Sequence, residues 1–114
     1  MRIVKKLSYE ARVVRFIQNY KKYFDAFEKR MGKDIIRKAD FLRAIIRIKS
    51  SLVALKNAKT SYKKTKNKQY KVLIKHSVKN IRENKRTIKA ILEMNRNYYY
   101  IIMFPQLANL DKTR

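Results

Sequence analysis

Val13, Phe16, Tyr20, Phe24, Phe27 and Met31 recur at spacings of three and four, one apolar stripe of a 3.6-period helix. Ser8 stands where an N-cap is wanted, and Glu10 follows in the first turn, facing the positive end of the helix dipole. Lys29 and Arg30 suit the opposite end, and Gly32 sits where a left-handed cap closes a helix. The pattern predicts a helix over 9–31, about 35 Å long at 1.5 Å per residue.

A second stripe follows. Phe41, Ile45, Ile48, Leu52 and Leu55 repeat at 4-3-4-3, widened by Leu42, Ile46 and Val53, with Asp34 as the predicted cap. It predicts a helix over 35–60, fading at Thr60 and Ser61. The third helix is predicted over 68–97 from Tyr70, Leu73, Ile74, Val78, Ile81, Ile88, Ile91 and Leu92, with a polar gap at Asn84 and Lys85. Residues 98–104, YYYIIMF, carry the apolar character on to Pro105, which stops any helix and opens a short tail, 105–114, where Leu107 and Leu110 are able to dock. The expected fold is all-α: one helical domain, 1–114, of three long amphipathic helices in an antiparallel hairpin or bundle with an extended basic surface. In the other arrangement helices two and three form one rod, broken only by a lysine tract. Phe16, Phe24, Ile45, Leu52, Ile81 and Ile88 are the expected core.

Composition narrows the chemistry. The 114 residues include one Gly, one Pro and no Cys. Disulfides and thiolate metal sites are therefore excluded, as are the glycine-rich loops that cradle phosphates or turn nucleophile elbows. The start, MRIVKKLSYEARVVRF, lacks a secretory core; it is basic, amphipathic and acid-poor, a weak match to a mitochondrial targeting segment. No run approaches the length of a membrane-spanning helix.

Charge changes the picture most. Thirty-one Lys or Arg face eight Asp or Glu, a formal charge of +23, while 46% of residues are hydrophobic. A chain both folded and polycationic points to a phosphate-rich partner, nucleic acid or an anionic membrane surface. From Phe41 to Arg82 there are thirteen Lys or Arg and no acid, centred on KNAKTSYKKTKNKQYK at 56–71. The expected phosphate contacts are Lys56, Lys59, Lys63, Lys64, Lys66, Lys68, Lys71, Lys75 and Lys79, with Arg82, Arg43 and Arg47. With about ten contacts, counterion release sets a log–log salt slope of about −7 to −9. Tyr62 and Tyr70, interleaved with these lysines, either stack on splayed bases or pack against the helix stems.

Catalysis finds little support. His76 is the only histidine and has no carboxylate nearby in the sequence to orient it, so it reads as a surface residue rather than a base or ligand. Asp25 and Glu28 share a helix face, but Lys21, Lys22 and Lys29 surround them, which favours ion pairing over an acid–base pair. No enzyme activity, metal or cofactor is expected.

Tyr98, Tyr99 and Tyr100 point about 100° apart on a helix, so they cannot share one core, and at least one is expected outside. Together with Ile102 and Phe104 they form the expected contact with a neighbouring protein. The helices are too long for a compact helix-turn-helix, and neither a leucine zipper nor an aromatic RNA-binding sheet is readable. In charge, length and helicity the chain resembles the lysine-rich, all-helical proteins that fill gaps between rRNA helices in ribosomes; no motif carries the likeness. The expected function is a non-enzymatic structural RNA-binding subunit of a large ribonucleoprotein, ribosome-like and organellar. It would clamp RNA phosphates and bridge to protein, inside the cell, in a mitochondrial matrix or a ribosome. A DNA-packaging or nucleocapsid protein, or an accessory subunit of a mitochondrial membrane complex resting on anionic lipid, are the other readings.

Overall fold

The computed structural model describes residues 7–104 as three helices: α1 (Tyr9–Met31), α2 (Lys38–Thr65) and α3 (Lys68–Met103). A 3₁₀ turn, Gly32–Asp34, follows α1, and there is no strand among the described residues. α1 begins as its sequence predicts, with the Ser8 hydroxyl accepting from the Ala11 N–H at 3.1 Å. Gly32 ends it at φ +57° and ψ −119°. That is positive φ as expected, but outside the left-handed helical well, where the absence of a Cβ matters most.

α2 and α3 form an antiparallel hairpin, not a single rod. The chain reverses at Lys66, held in the left-handed region at φ 57°, and Asn67 caps α3 by accepting from the Gln69 N–H at 3.0 Å. The seam is a heptad on each side. Phe41, Ala44, Ile45, Ile48, Ser51, Leu52, Leu55 and Ala58 bury on α2; Ser77, Ile81, Ile88, Ile91 and Asn95 bury on α3. This 3-4 spacing is the geometry of helices packed near-parallel along a shared stripe.

α1 lies along the hairpin, antiparallel to α2 and parallel to α3. Glu10 near its start reaches Lys59, and Glu28 near its end reaches Lys38, both at 2.6 Å. The Lys59 hydrogen bond, aided by backbone donation, holds the Glu10 carboxyl below its usual range. Val13, Ile17 and Phe24 enter the core, and Phe24 stacks on Phe41 at 4.1 Å and 12°.

Several expectations are corrected. Phe16 is only half-buried, with Lys85 and Lys89 at 5.0 and 5.8 Å over its ring, and Ile17 takes the core position instead. Leu42, Ile46 and Val53 are exposed rather than widening the seam, because the near-parallel partner covers only a narrow stripe. α2 spans Lys38–Thr65 rather than 35–60, and Asp34 lies in the 3₁₀ turn instead of capping it. α3 runs to Met103 rather than 97, since nothing in YYYIIM breaks a helix. Pro105 and the tail over 105–114, with Leu107 and Leu110, lie outside the described residues.

The late start of α2 has a long-range cause. Fully buried Asn95 accepts from the Ile36 N–H at 2.9 Å and donates to the Ile36 carbonyl at 3.0 Å. This pairing holds the connection non-helical up to Arg37, which enters α2 in the left-handed region at φ 59°. Asn95→Leu keeps the branched heavy-atom shape, with bulkier methyls, but strands both Ile36 groups, each of which costs about 1–3 kcal/mol when buried and unpaired. Ile36 is half-buried and water reaches part of it, so the expected loss by urea denaturation is about 1–3 kcal/mol. A loss below about 0.5 kcal/mol would mean the connection rehydrates freely.

Candidate nucleic-acid interface

α3 places its cations by spacing. Lys68, Lys71, Lys75, Lys79, Arg82, Arg86, Lys89 and Arg96 recur at intervals of three, four and seven, and all are exposed. At 3.6 residues per turn they fall within an arc of about 100°, opposite the buried seam of Ser77, Ile81, Ile88, Ile91 and Asn95. The result is a cationic ridge about 42 Å long at 1.5 Å per residue. The one acid on this arc, Glu93, lies 3.7 Å from Arg96.

At the turn of the hairpin the ridge meets the lysines of α2. Lys63 and Lys64 close the last turn of α2 and Lys66 caps it. No residue between Ala58 and Ser77 is buried, so this tip has no core of its own among the described residues. Its order rests on the two helix ladders and on local contacts. Tyr62 supplies one: its half-buried ring has the Lys66 and Lys71 ammoniums at 5.6 and 5.4 Å. The tyrosine thus packs among lysine ends and spaces their charges. Tyr70 is half-buried on α3 without an aromatic partner among the described residues.

Not every predicted cation joins this surface. Lys59 is engaged by Glu10, and Lys56 stands exposed one turn earlier on α2. Arg43 and Arg47 line a separate shallow groove with Arg37, Thr87 and Met94, where Arg43 and Arg37 both approach Asp40, at 3.7 and 3.3 Å. Of the thirteen cations between Phe41 and Arg82, only Arg43 and Lys59 reach a carboxylate among the described residues. Among the described residues the charge is otherwise unneutralised.

Arg86, Lys89 and Arg96 are ridge members that the acid-free stretch does not include, because Glu83 ends that stretch in sequence. Glu83 is not on the ridge arc; it borders a groove with Ser50 and Asn80. The signal that finds all eight is angular, the recurrence of Lys or Arg at helical spacing on the face opposite the apolar stripe.

The end of α3 divides its tyrosines. Tyr99 turns inward, its ring 6.3 Å from Phe27 and edge-on, while Tyr98 and Tyr100 are exposed. Ile101, Ile102, Met103 and Phe104 are exposed as well. No described helix is long and apolar enough to cross a membrane, and no cluster of three metal-ligating side chains occurs among the described residues. Comparison with protein-family models, curated proteins and solved structures gives no match for this chain.

Proposed function

We propose that the protein is a non-enzymatic structural subunit of a ribonucleoprotein that holds RNA by its phosphates and meets a neighbouring protein through the end of α3. The observation that carries this reading is the ridge: eight exposed cations on one helix face, with a single carboxylate among them. Without a polyanion such a face only repels itself. A row of cations along one helix face suits a phosphate backbone and reads no base edge, so it fixes position without sequence. The exposed apolar residues Tyr98 and Tyr100 to Phe104 sit at the end of the same helix and support a protein contact beside the nucleic acid.

The test is the salt dependence of binding to unrelated RNAs. Eight ridge contacts alone give a log–log slope of about −6 to −7, with affinity dropping about 10³–10⁵-fold between 50 and 200 mM salt, and contacts by the tip lysines steepen it further. Neutralising Lys63, Lys64 and Lys66 at the tip to Gln is expected to weaken all sequences alike and to shrink the slope by up to about three units. An unchanged slope, or loss for one sequence alone, removes the tip from the interface. Tighter binding to anionic vesicles than to RNA at equal salt would instead assign the ridge to a membrane surface.

A further inference from the structure

Between the C-terminal half of α1 and α3 lies a cavity of about 430 Å³, lined among others by Tyr20, Tyr23, Phe27, Arg30, Lys89 and Arg96. It joins an aromatic wall and a cationic rim around one recess. The rim has three cations and one carboxylate, Glu93, which lies 3.7 Å from Arg96. On the wall, Tyr20 leans against Phe16 with centroids 4.3 Å apart, and Tyr23 meets Tyr20 at 5.7 Å and 81°. Tyr23 has no second aromatic neighbour among the described residues and is 54% exposed, so at least one face of its ring is open.

Lys89 and Arg96 belong both to the ridge and to this rim. A phosphate backbone following the ridge therefore brings its nucleotides past the mouth of the cavity. We infer that the cavity takes one unstacked nucleobase of a bound single strand, packed on Tyr23, with the flanking phosphates on Lys89, Arg96 and Arg30. This rests on the reading of the ridge as a phosphate-binding face. The volume is at the lower end of small-ligand pockets and suits one base with its sugar. Bases inside a continuous duplex have no free face to offer, so the site selects strands, loops or bulges. Every base has such a face, so selection is for the unpaired state and not for sequence.

The experiment compares the intact chain and two variants on a single strand and a blunt duplex of about 12 nucleotides, the number of phosphates the ridge spans at 3.4 Å each. RNA and DNA versions of each probe are used. Tyr23 is exposed, so its replacement spares the core. Tyr23→Ala is expected to weaken single-strand binding about 5- to 150-fold, the range for one lost base stack, while leaving duplex affinity and the salt slope unchanged. Tyr23→Phe keeps the ring and is expected to bind like the original. Equal loss on strand and duplex, no loss on either, or failure of Tyr23→Phe to restore binding would each overturn the base site, and the phosphate-binding ridge would survive all three. If the original chain binds neither probe in a salt-dependent way, the ridge reading itself falls and the base site with it.

Discussion

Neutralising Lys75, Lys79, Arg82 and Arg86 together, each to Gln, is expected to lower RNA affinity about 10³-fold near 0.1 M salt and to make the slope about three to four units shallower. The magnitude follows from counterion release. Each phosphate contact contributes about 0.7–0.9 to the slope, and its effect vanishes on extrapolation to about 1 M salt. Four contacts over that tenfold range give the thousandfold loss. All four side chains are exposed on the ridge, away from the seam, so the fold is not at risk. Removing like charges spaced three and four apart relieves repulsion, so the variant is expected to melt higher than the original. Binding and stability thus move in opposite directions, which a damaged fold would not produce. An unchanged slope measured by fluorescence anisotropy would remove the ridge from the interface.

Phe24→Ala is expected to cost about 3–5 kcal/mol in chemical denaturation. The ring is 2% exposed and stacked on Phe41 between α1 and α2. Its removal forfeits the transfer of a large apolar group, the ring–ring contact and the packing around the void. α1 adds few large buried side chains besides Phe24, namely Val13, Ile17 and Met31, so little is at hand to collapse into the gap. Small domains are stable by only about 5–15 kcal/mol, so the variant loses a large share of its margin. A loss below about 1 kcal/mol would mean that α1 slides to refill the site.

The elements were legible where local chemistry and periodicity agreed. Ser8, Glu10 and Gly32 mark α1 to the residue, and the 4-3-4-3 row from Phe41 to Leu55 is the seam of α2. The failures have particular causes. Phe16 and Ile17 both satisfy a helical stripe, and only the placement of Lys85 and Lys89 over the Phe16 ring decides between them. The start of α2 is decided 59 residues away by Asn95, in a pairing that no local signal announces. For the cationic ridge, reading the acid-free stretch found Lys68 to Arg82, while Arg86, Lys89 and Arg96 needed the angular position around α3. The aromatic cavity was not legible, because it exists only once α1 lies beside α3.

The coreless tip has a mechanical consequence. Between Ala58 and Ser77 no residue is fully buried, and the two arms of the hairpin rely on their own backbone ladders and a few local contacts, Tyr62 with Lys71 and Ile74 against the core, set against the mutual repulsion of their lysines. Such a segment opens at a fraction of the global unfolding free energy, by fraying from the turn toward Ala58 and Ser77. A polyanion laid across both arms cancels that push and draws them together. Ordering the tip would therefore consume part of the binding energy, and a polyanion-bound hairpin would be stiffer than the unbound one. On the proposed function, the lysine tract would in this sense be a spring that a polyanion closes.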